Sequence, residues 1–401
     1  MNRRVFLQSS LAAGLAASVG DTANIQPSNS TAPRSRREGG AGLFAPLKIR
    51  GVTLRNRIAM SPMCQYSSED GFANDWHLAH YGARATGGAG LLIAEATGIV
   101  PEGRITPQCL GVWKDEHIPE LRRVTDFISA HGAVPGIQLA HSGVKGSRRR
   151  PIDPKRGQFI LPEEGGWMPA GPTAKRYRDD GAIPREMTVA EIHRITGSMA
   201  EAAQRSVAAG FRVIELHFAH GYLGHSFMSP LMNERTDEYG GSFENRVRFL
   251  LESVRAVRAV LPEETPLFVR FSCTDWVDGG WTLEDSVKAA RLIRDEGVDL
   301  IDCSTGGATR NAEIPVGPGY QVPFAASIRK EAGIATGAVG LITEPGQADA
   351  IIADGRADLV IMGRELLREP NWPLRAWVEL ESDTPAPIAA EYAWALRETR
   401  R

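Results

Sequence analysis

Cysteine is scarce: four residues in 401, Cys64, Cys109, Cys273 and Cys303, with no CxxC pair among them. That excludes a zinc ribbon and gives no reason to expect a disulfide framework, so stability has to come from packing. Long apolar runs are missing too, and nothing approaches the roughly 20 residues needed to span a bilayer. No charge of one sign dominates: 46 Lys and Arg face 48 Asp and Glu, for a formal net charge of -2. Such a balance leaves no electrostatic footprint for nucleic acid. There is no GxGxxG after the first strand and no GxxxxGK[ST], so neither a Rossmann nucleotide site nor a P-loop is available. What is present, 42% hydrophobic and 23% charged residues, suffices for a large globular core.

The first 20 residues read as an address. MNRRVFLQSSLAAGLAASVG places Arg3 and Arg4 before Val5, Phe6 and Leu7 and then an acid-free, moderately apolar stretch. That order matches a twin-arginine export signal, which carries folded proteins and suits one that takes up a cofactor in the cytoplasm. Residues 21–41, rich in Ser, Thr, Asn, Pro, Gly and Arg, read as a flexible linker. The expectation is a bacterial periplasmic location, or a cytoplasmic one if the signal is not used.

From residue 42 a short β-branched run followed by an amphipathic stretch recurs eight times. The expected strands are 57–61, 90–95, 134–140, 212–217, 267–272, 299–304, 334–339 and 359–363, with helices at 189–209, 244–260, 283–296 and 344–353. Eight alternating units fit an α/β fold, a single (β/α)8 TIM barrel over residues 42–401, more economically than a doubly wound sheet. Two additions stand out. LKIRGVTLRN, residues 47–56, reads as an N-terminal β-hairpin turning at Arg50-Gly51 and closing the barrel floor. Residues 142–187 after the third strand, with six prolines and the run Arg148-Arg149-Arg150, form a long excursion on the face where barrel active sites lie.

The fourth strand, RVIELHFAHGYL, is the most specific signal. Period-two alternation turns Val213, Glu215 and His217 to the barrel axis and Ile214 and Leu216 to the helices. His217 then sits at the strand's mouth, with His220 and Tyr222 in the exit loop. Two imidazoles and a phenol together supply hydrogen-bond donors for an oxyanion and one proton donor, the equipment for polarising a carbonyl while protonating its neighbour. The first strand ends in SPMCQYS, where Cys64 and Tyr66 project at alternate positions over the same mouth. Gln138 shares the interior parity in the third strand. Arg270 in the fifth is a buried guanidinium needing a partner, either Glu215 or an electron-rich ligand edge. Gly340 and Gly363 close the seventh and eighth strands beside Arg364, where barrels hold phosphate. His77 and His80, on a helical segment with Trp76 and Tyr81, read as packing residues.

Several segments together carry a resemblance: NRIAMSPMCQYS, AEATGIVPEGRIT, IQLAHSGVK, IELHFAHGYLGHSFMSPLMNERTDEYGGSFENR, LFVRFS, VDLIDCSTGG, ATGAVG and IMGRELLREP. From about Leu43 to Pro387 the chain resembles the Old Yellow Enzyme family of FMN-dependent ene-reductases, in its cysteine-bearing, thermophilic-like bacterial branch. The resemblance implies FMN across the barrel mouth, lined by Ser61, Pro62, Met63 and Cys64, with Ala96 after the second strand and Gln138 at the pyrimidine edge. It puts Arg270 near N1 and O2, and Gly340, Gly363 and Arg364 on the phosphate. His217 and His220 would bind the substrate's carbonyl oxygen, Tyr66 would add a contact, Tyr222 would donate the proton, and Cys64 would tune the flavin. The implied reaction takes a hydride from NADPH or NADH. It then reduces the activated C=C bond of an α,β-unsaturated carbonyl compound or nitroalkene by hydride transfer from flavin N5. A homo-oligomer is also implied, although EYAWALRETRR carries Trp394 where the branch's subunit-crossing arginine falls. Two other readings compete. Amine-demethylating flavin relatives carry an iron-sulfur cysteine cluster that this sequence lacks. A flavin-free isomerase or aldolase would put substrate in the phosphate site and wants a lysine at a strand end, for which Lys145 is the nearest candidate.

Overall fold

The computed structural model describes residues 42–178 and 181–396. The export signal and linker expected over residues 1–41 lie outside the described residues. β1 (Leu47–Ile49) and β2 (Val52–Leu54) pair antiparallel as the expected hairpin. Arg50 at its turn adopts the left-handed region at φ +47°. Its guanidinium reaches Asp299 Oδ1 at 2.7 Å, while the Gly51 amide donates to the Glu264 carbonyl at 3.0 Å. These bonds pin the turn to loops on the barrel's lower face.

The strands that follow are β3 (Ile58–Met60), β4 (Leu91–Gly98), β5 (Val134–Ala140), a short pair β6 (Ala170–Gly171) and β7 (Arg185–Glu186), β8 (Val213–Phe218), β9 (Leu267–Ser272), β10 (Leu300–Ser304), β11 (Ala335–Ala338) and β12 (Leu359–Met362). All but β1, β2, β6 and β7 form one closed parallel barrel, β3-β4-β5-β8-β9-β10-β11-β12, with β12 returning to β3. Every expected barrel strand is therefore present. Their runs are apolar because both faces are covered, one by helices and one by the interior. Val213 packs with Leu91, Phe268, Leu300 and Leu359 inside, whereas Ile214 and Leu216 join the outer core. Val52 and Leu54 of the hairpin belong to the inner cluster, so the hairpin plugs the floor.

The crossover helices include α1 (Asp75–Thr86), α2 (Ile118–Ala130), α3 (Val189–Ala208), α4 (Leu223–Met228), α5 (Phe243–Arg246), α6 (Arg248–Val260), α7 (Leu283–Asp295), α8 (Val322–Ala332), α9 (Pro345–Ala353), α10 (Arg364–Arg368) and α11 (Trp372–Glu379). Capping boxes set the starts of α3 and α7, Thr188 with Glu191 and Thr282 with Asp285. The single helix expected over 244–260 is divided at Val247, which is buried and sits at φ -87°, ψ -3°. β4 also departs from expectation: it does not end at Glu95 but resumes after a bulge between Ala94 and Ala96. The bulged Glu95 amide donates to the Tyr81 hydroxyl at 2.9 Å. Ala96 thus lies within the strand and not after it.

Candidate active site

The mouth is built around the end of β8. His217, its penultimate residue, is buried, and the chain then turns through His220 at φ +62° and Gly221 at φ +70°. A left-handed non-glycine residue costs about 1–2 kcal/mol, so neighbouring bonds must hold it. The His220 amide donates to Ser272 Oγ at 2.8 Å, and the Gly221 amide to His225 Nδ1 at 2.8 Å. His225 Nε2 lies 3.2 Å from Asp275 Oδ1, both side chains fully buried. This clamp brings His217 within 5.3 Å of His220 and 5.1 Å of Tyr222, measured between ring centroids. His220 Nε2 meets Ser304 Oγ at 2.7 Å, leaving Nδ1 as its only ring nitrogen for a ligand. His217 Nδ1 is buried without a hydrogen-bond partner. Burial first, then the nearby Arg270 charge, hold both imidazoles well below the usual histidine range, so they are neutral near pH 7. Burial also raises the Tyr222 phenol, which keeps its proton.

Arg270 of β9 does not pair with Glu215. Its Nε lies 3.1 Å from Asp302 Oδ2 on β10, while Glu215 Oε1 accepts from Gln138 Nε2 at 2.8 Å. Asp302 stands directly beside Arg270 in register and reaches it across one strand spacing; β8 offers Glu215 to β5 instead. Burial and the Asp302 charge push Glu215 up to about 8. Sequence reasoning missed Asp302 as well as Ser304, which accompanies it. The alternation Leu300, Asp302, Ser304 was the available signal, since it gives all three the interior parity.

Beside Arg270 a cleft of about 140 Å³ opens between the ends of β11 and β12, lined by Ser61, Ser304, Gln321, Gly340, Gly363 and Arg364 among others. Gly340 sits at φ +109°, and a Cβ on Gly363 would stand 3.3 Å from Met63 Sδ. Residues 61–68 leave β3 without regular alternation. Gln65 N donates to Glu95 Oε2 at 3.0 Å, and Tyr66 takes φ +54°. Cys64, half-buried, lies near the Cys109 thiol; that neighbour and burial hold it well above the usual thiol range, so it is no thiolate. The phenols of Tyr66 and Tyr222 lie close enough to act on each other electrostatically, as do Cys64 and Tyr222. His77 behaves as expected of a packing residue: its Nδ1 accepts from the Asn74 amide that starts α1, at 3.1 Å.

The excursion after β5 crosses the mouth as a roof. Val144 packs with Met232 and Ala308, against Tyr177 and Leu231, tying the excursion to loops after β8 and β10. Thr173 Oγ1 donates to the Met232 carbonyl at 2.9 Å. Arg235 Nη1 donates to the carbonyls of Pro172 and Met187 at 2.9 and 2.7 Å.

Residues 42–383 match the model of the NADH:flavin oxidoreductase / NADH oxidase family. An NADPH dehydrogenase of Geobacillus thermodenitrificans is 48% identical over 354 residues, 88% of this chain and 98% of that protein. Among solved structures, morphinone reductase superposes with a TM-score of 0.70 at 27% identity, covering 87% of this chain and 93% of that one. A 2-naphthoyl-CoA reductase complex gives 0.77 at 26% identity over 84% of this chain. The chain spans about half, 52%, of that reductase's length.

Proposed function

We propose, given that this chain belongs to the Old Yellow Enzyme-like NADH:flavin oxidoreductase family and is an FMN-dependent NADPH oxidoreductase, that it reduces the activated C=C bond of α,β-unsaturated carbonyl compounds or nitroalkenes. The observation that carries the reading is the convergence of His217, His220 and Tyr222 at one end of the mouth beside the Arg270 and Arg364 cleft. Cys64 at the same mouth supports placing the chain in the cysteine-bearing, thermophilic-like branch.

The residues present fit FMN. Arg364 and the backbone at Gly340 and Gly363, where a side chain would crowd Gln321 or Met63, offer a cationic end for a phosphate, with Ser61, Pro62 and Met63 along the wall. Arg270 and Gln138 offer polar groups for a pyrimidine edge, and Ala96 leaves room beside them. When bound, FMN accepts a hydride from NADPH and supplies it to the β-carbon of the substrate. The protein's own part is positional and electrostatic. Neutral His217 and His220 donate hydrogen bonds to the substrate oxygen, where negative charge grows, an effect of about 3 to 4 kcal/mol per donor. Tyr222 holds a proton that the α-carbon receives, and Tyr66 flanks the substrate from the β3 exit. Arg270, with Asp302 behind it, sets positive charge where the reduced cofactor carries negative charge.

The visible spectrum of the purified protein tests this reading. A flavin band that bleaches under anaerobic NADPH and returns with 2-cyclohexenone is the expected result; a bleached enzyme that the enone leaves unchanged rejects the substrate class. Export to the periplasm in the folded state belongs to the same proposal, on the strength of Arg3 and Arg4. Replacing both by lysine is expected to retain the protein in the cytoplasmic fraction.

A further inference from the structure

We infer that Lys145 is a positioning residue for the substrate-oxygen site, its amine tying the His220 carbonyl to the Gly307 carbonyl and so fixing the His220 ring. The inference rests on the reading of His220 as an oxygen-binding residue. Lys145 Nζ donates to the His220 oxygen at 2.5 Å and to the Gly307 oxygen at 2.7 Å. Its ammonium also lies 3.9 Å from the Tyr177 ring centroid and 5.4 Å from that of Tyr222.

The two carbonyls belong to loops that approach as closely as backbone allows. A Cβ on Gly221 would collide with the Gly307 oxygen, and one on Gly307 would stand 2.5 Å from the His220 Cα. Both glycines take positive φ, +70° and +97°, and His220, which precedes Gly221, takes +62° without glycine's freedom. Two carbonyl oxygens turned to one point repel each other, so a shared donor is what makes the arrangement stable. Burial, aided by the like charge of Arg148, brings Lys145 down to about 7, yet a neutral amine still keeps two N–H groups for two acceptors. The tie therefore does not depend on the charge. Lys145 touches backbone and aromatic faces and not the ring nitrogens, which makes its role one of holding geometry.

The test uses the FMN-loaded enzyme and its two half-reactions. Lys145→Met keeps the stem and removes the donors; Lys145→Ala leaves a channel the size of propylammonium. Both variants are expected to retain flavin and to be reduced by NADPH within twofold of wild type. Their kcat/KM for 2-cyclohexenone is expected to fall at least tenfold, with the rise in KM larger than the loss in kcat. Propylammonium is expected to restore Lys145→Ala and leave Lys145→Met unchanged. Enone kinetics equal to wild type, an equal loss in both half-reactions, or a loss that propylammonium cannot restore would each overturn the assignment. A wild type inert to the enone removes the substrate reading and the Lys145 role together, whereas an active wild type matched by Lys145→Ala removes the role alone.

Discussion

His217 offers the mouth a neutral imidazole with a buried, unpartnered Nδ1, so its loss removes a donor without opening a salt bridge. His217→Ala is expected to lower kcat/KM for a cyclic enone by about 100- to 1000-fold, the range for one oxyanion donor. Steady-state kinetics with NADPH in excess check it, and a change below threefold would remove His217 from that role. Tyr222→Phe keeps the ring and deletes the proton. The expected outcome is a loss of roughly 100-fold or more in flavin reoxidation by the enone, with reduction by NADPH untouched in stopped flow. At this scale much was legible in the sequence. His217, Glu215 and Arg270 follow from strand parity, and His220 and Tyr222 from their place just beyond it. The partners of those residues were not legible, because pairing depends on inter-strand register: Arg270 to Asp302, His220 to Ser304 and Cys64 to Cys109 all join residues from different turns of the repeat.

Among elements, the loop between β8 and α4 is the most constrained. Gly221→Ala combines a left-handed conformation with a collision against the Gly307 carbonyl, and is expected to destabilise the protein by more than about 2 kcal/mol. A thermal midpoint within about 1 °C of wild type would show that the loop tolerates what its geometry forbids. The floor hairpin is the second such element. Leu54, 1% exposed, packs with the inner cluster, and Leu54→Ala is expected to cost about 2–5 kcal/mol in denaturant unfolding while leaving kcat/KM within twofold. Hairpin and barrel strands were readable because each alternates or runs apolar over several residues. The roof was readable only as a long Pro-rich excursion. Its order comes from contacts such as Val144 with Met232 and Arg235 with Pro172, which join distant segments and leave no periodic trace. The bulge at Glu95 escaped for a similar reason, since a hydroxyl from α1 satisfies the extra amide.

For the molecule as a whole, buried neutral histidines set the acid limit. Burial lowers His141 to about 4 and His80 to about 3, with His217 and His220 also well below their usual range. Below the unfolded value near 6.5 the unfolded chain takes up protons that the folded one refuses. Their contribution is therefore full above pH 6.5 and lost as pH falls toward 4, at about 1.4 kcal/mol per unit for each imidazole. Glu215, raised to about 8, and Asp302, raised to about 6, act in the opposite sense over part of that window. Four histidines outweigh two acids, so the thermal midpoint is expected to drop steadily between pH 6.5 and 4; a flat profile would contradict it. The closure of the barrel carries a consequence for biosynthesis. Ile58 pairs with Val360 across roughly 300 residues of chain, and the cleft assigned to the phosphate lies between the last two strands. A nascent chain still on the ribosome before residue 363 exposes two open sheet edges and half a phosphate site. Cofactor capture must then follow synthesis of the last strand, making flavin supply a checkpoint on closed barrels and leaving chains truncated before it colourless and prone to aggregate.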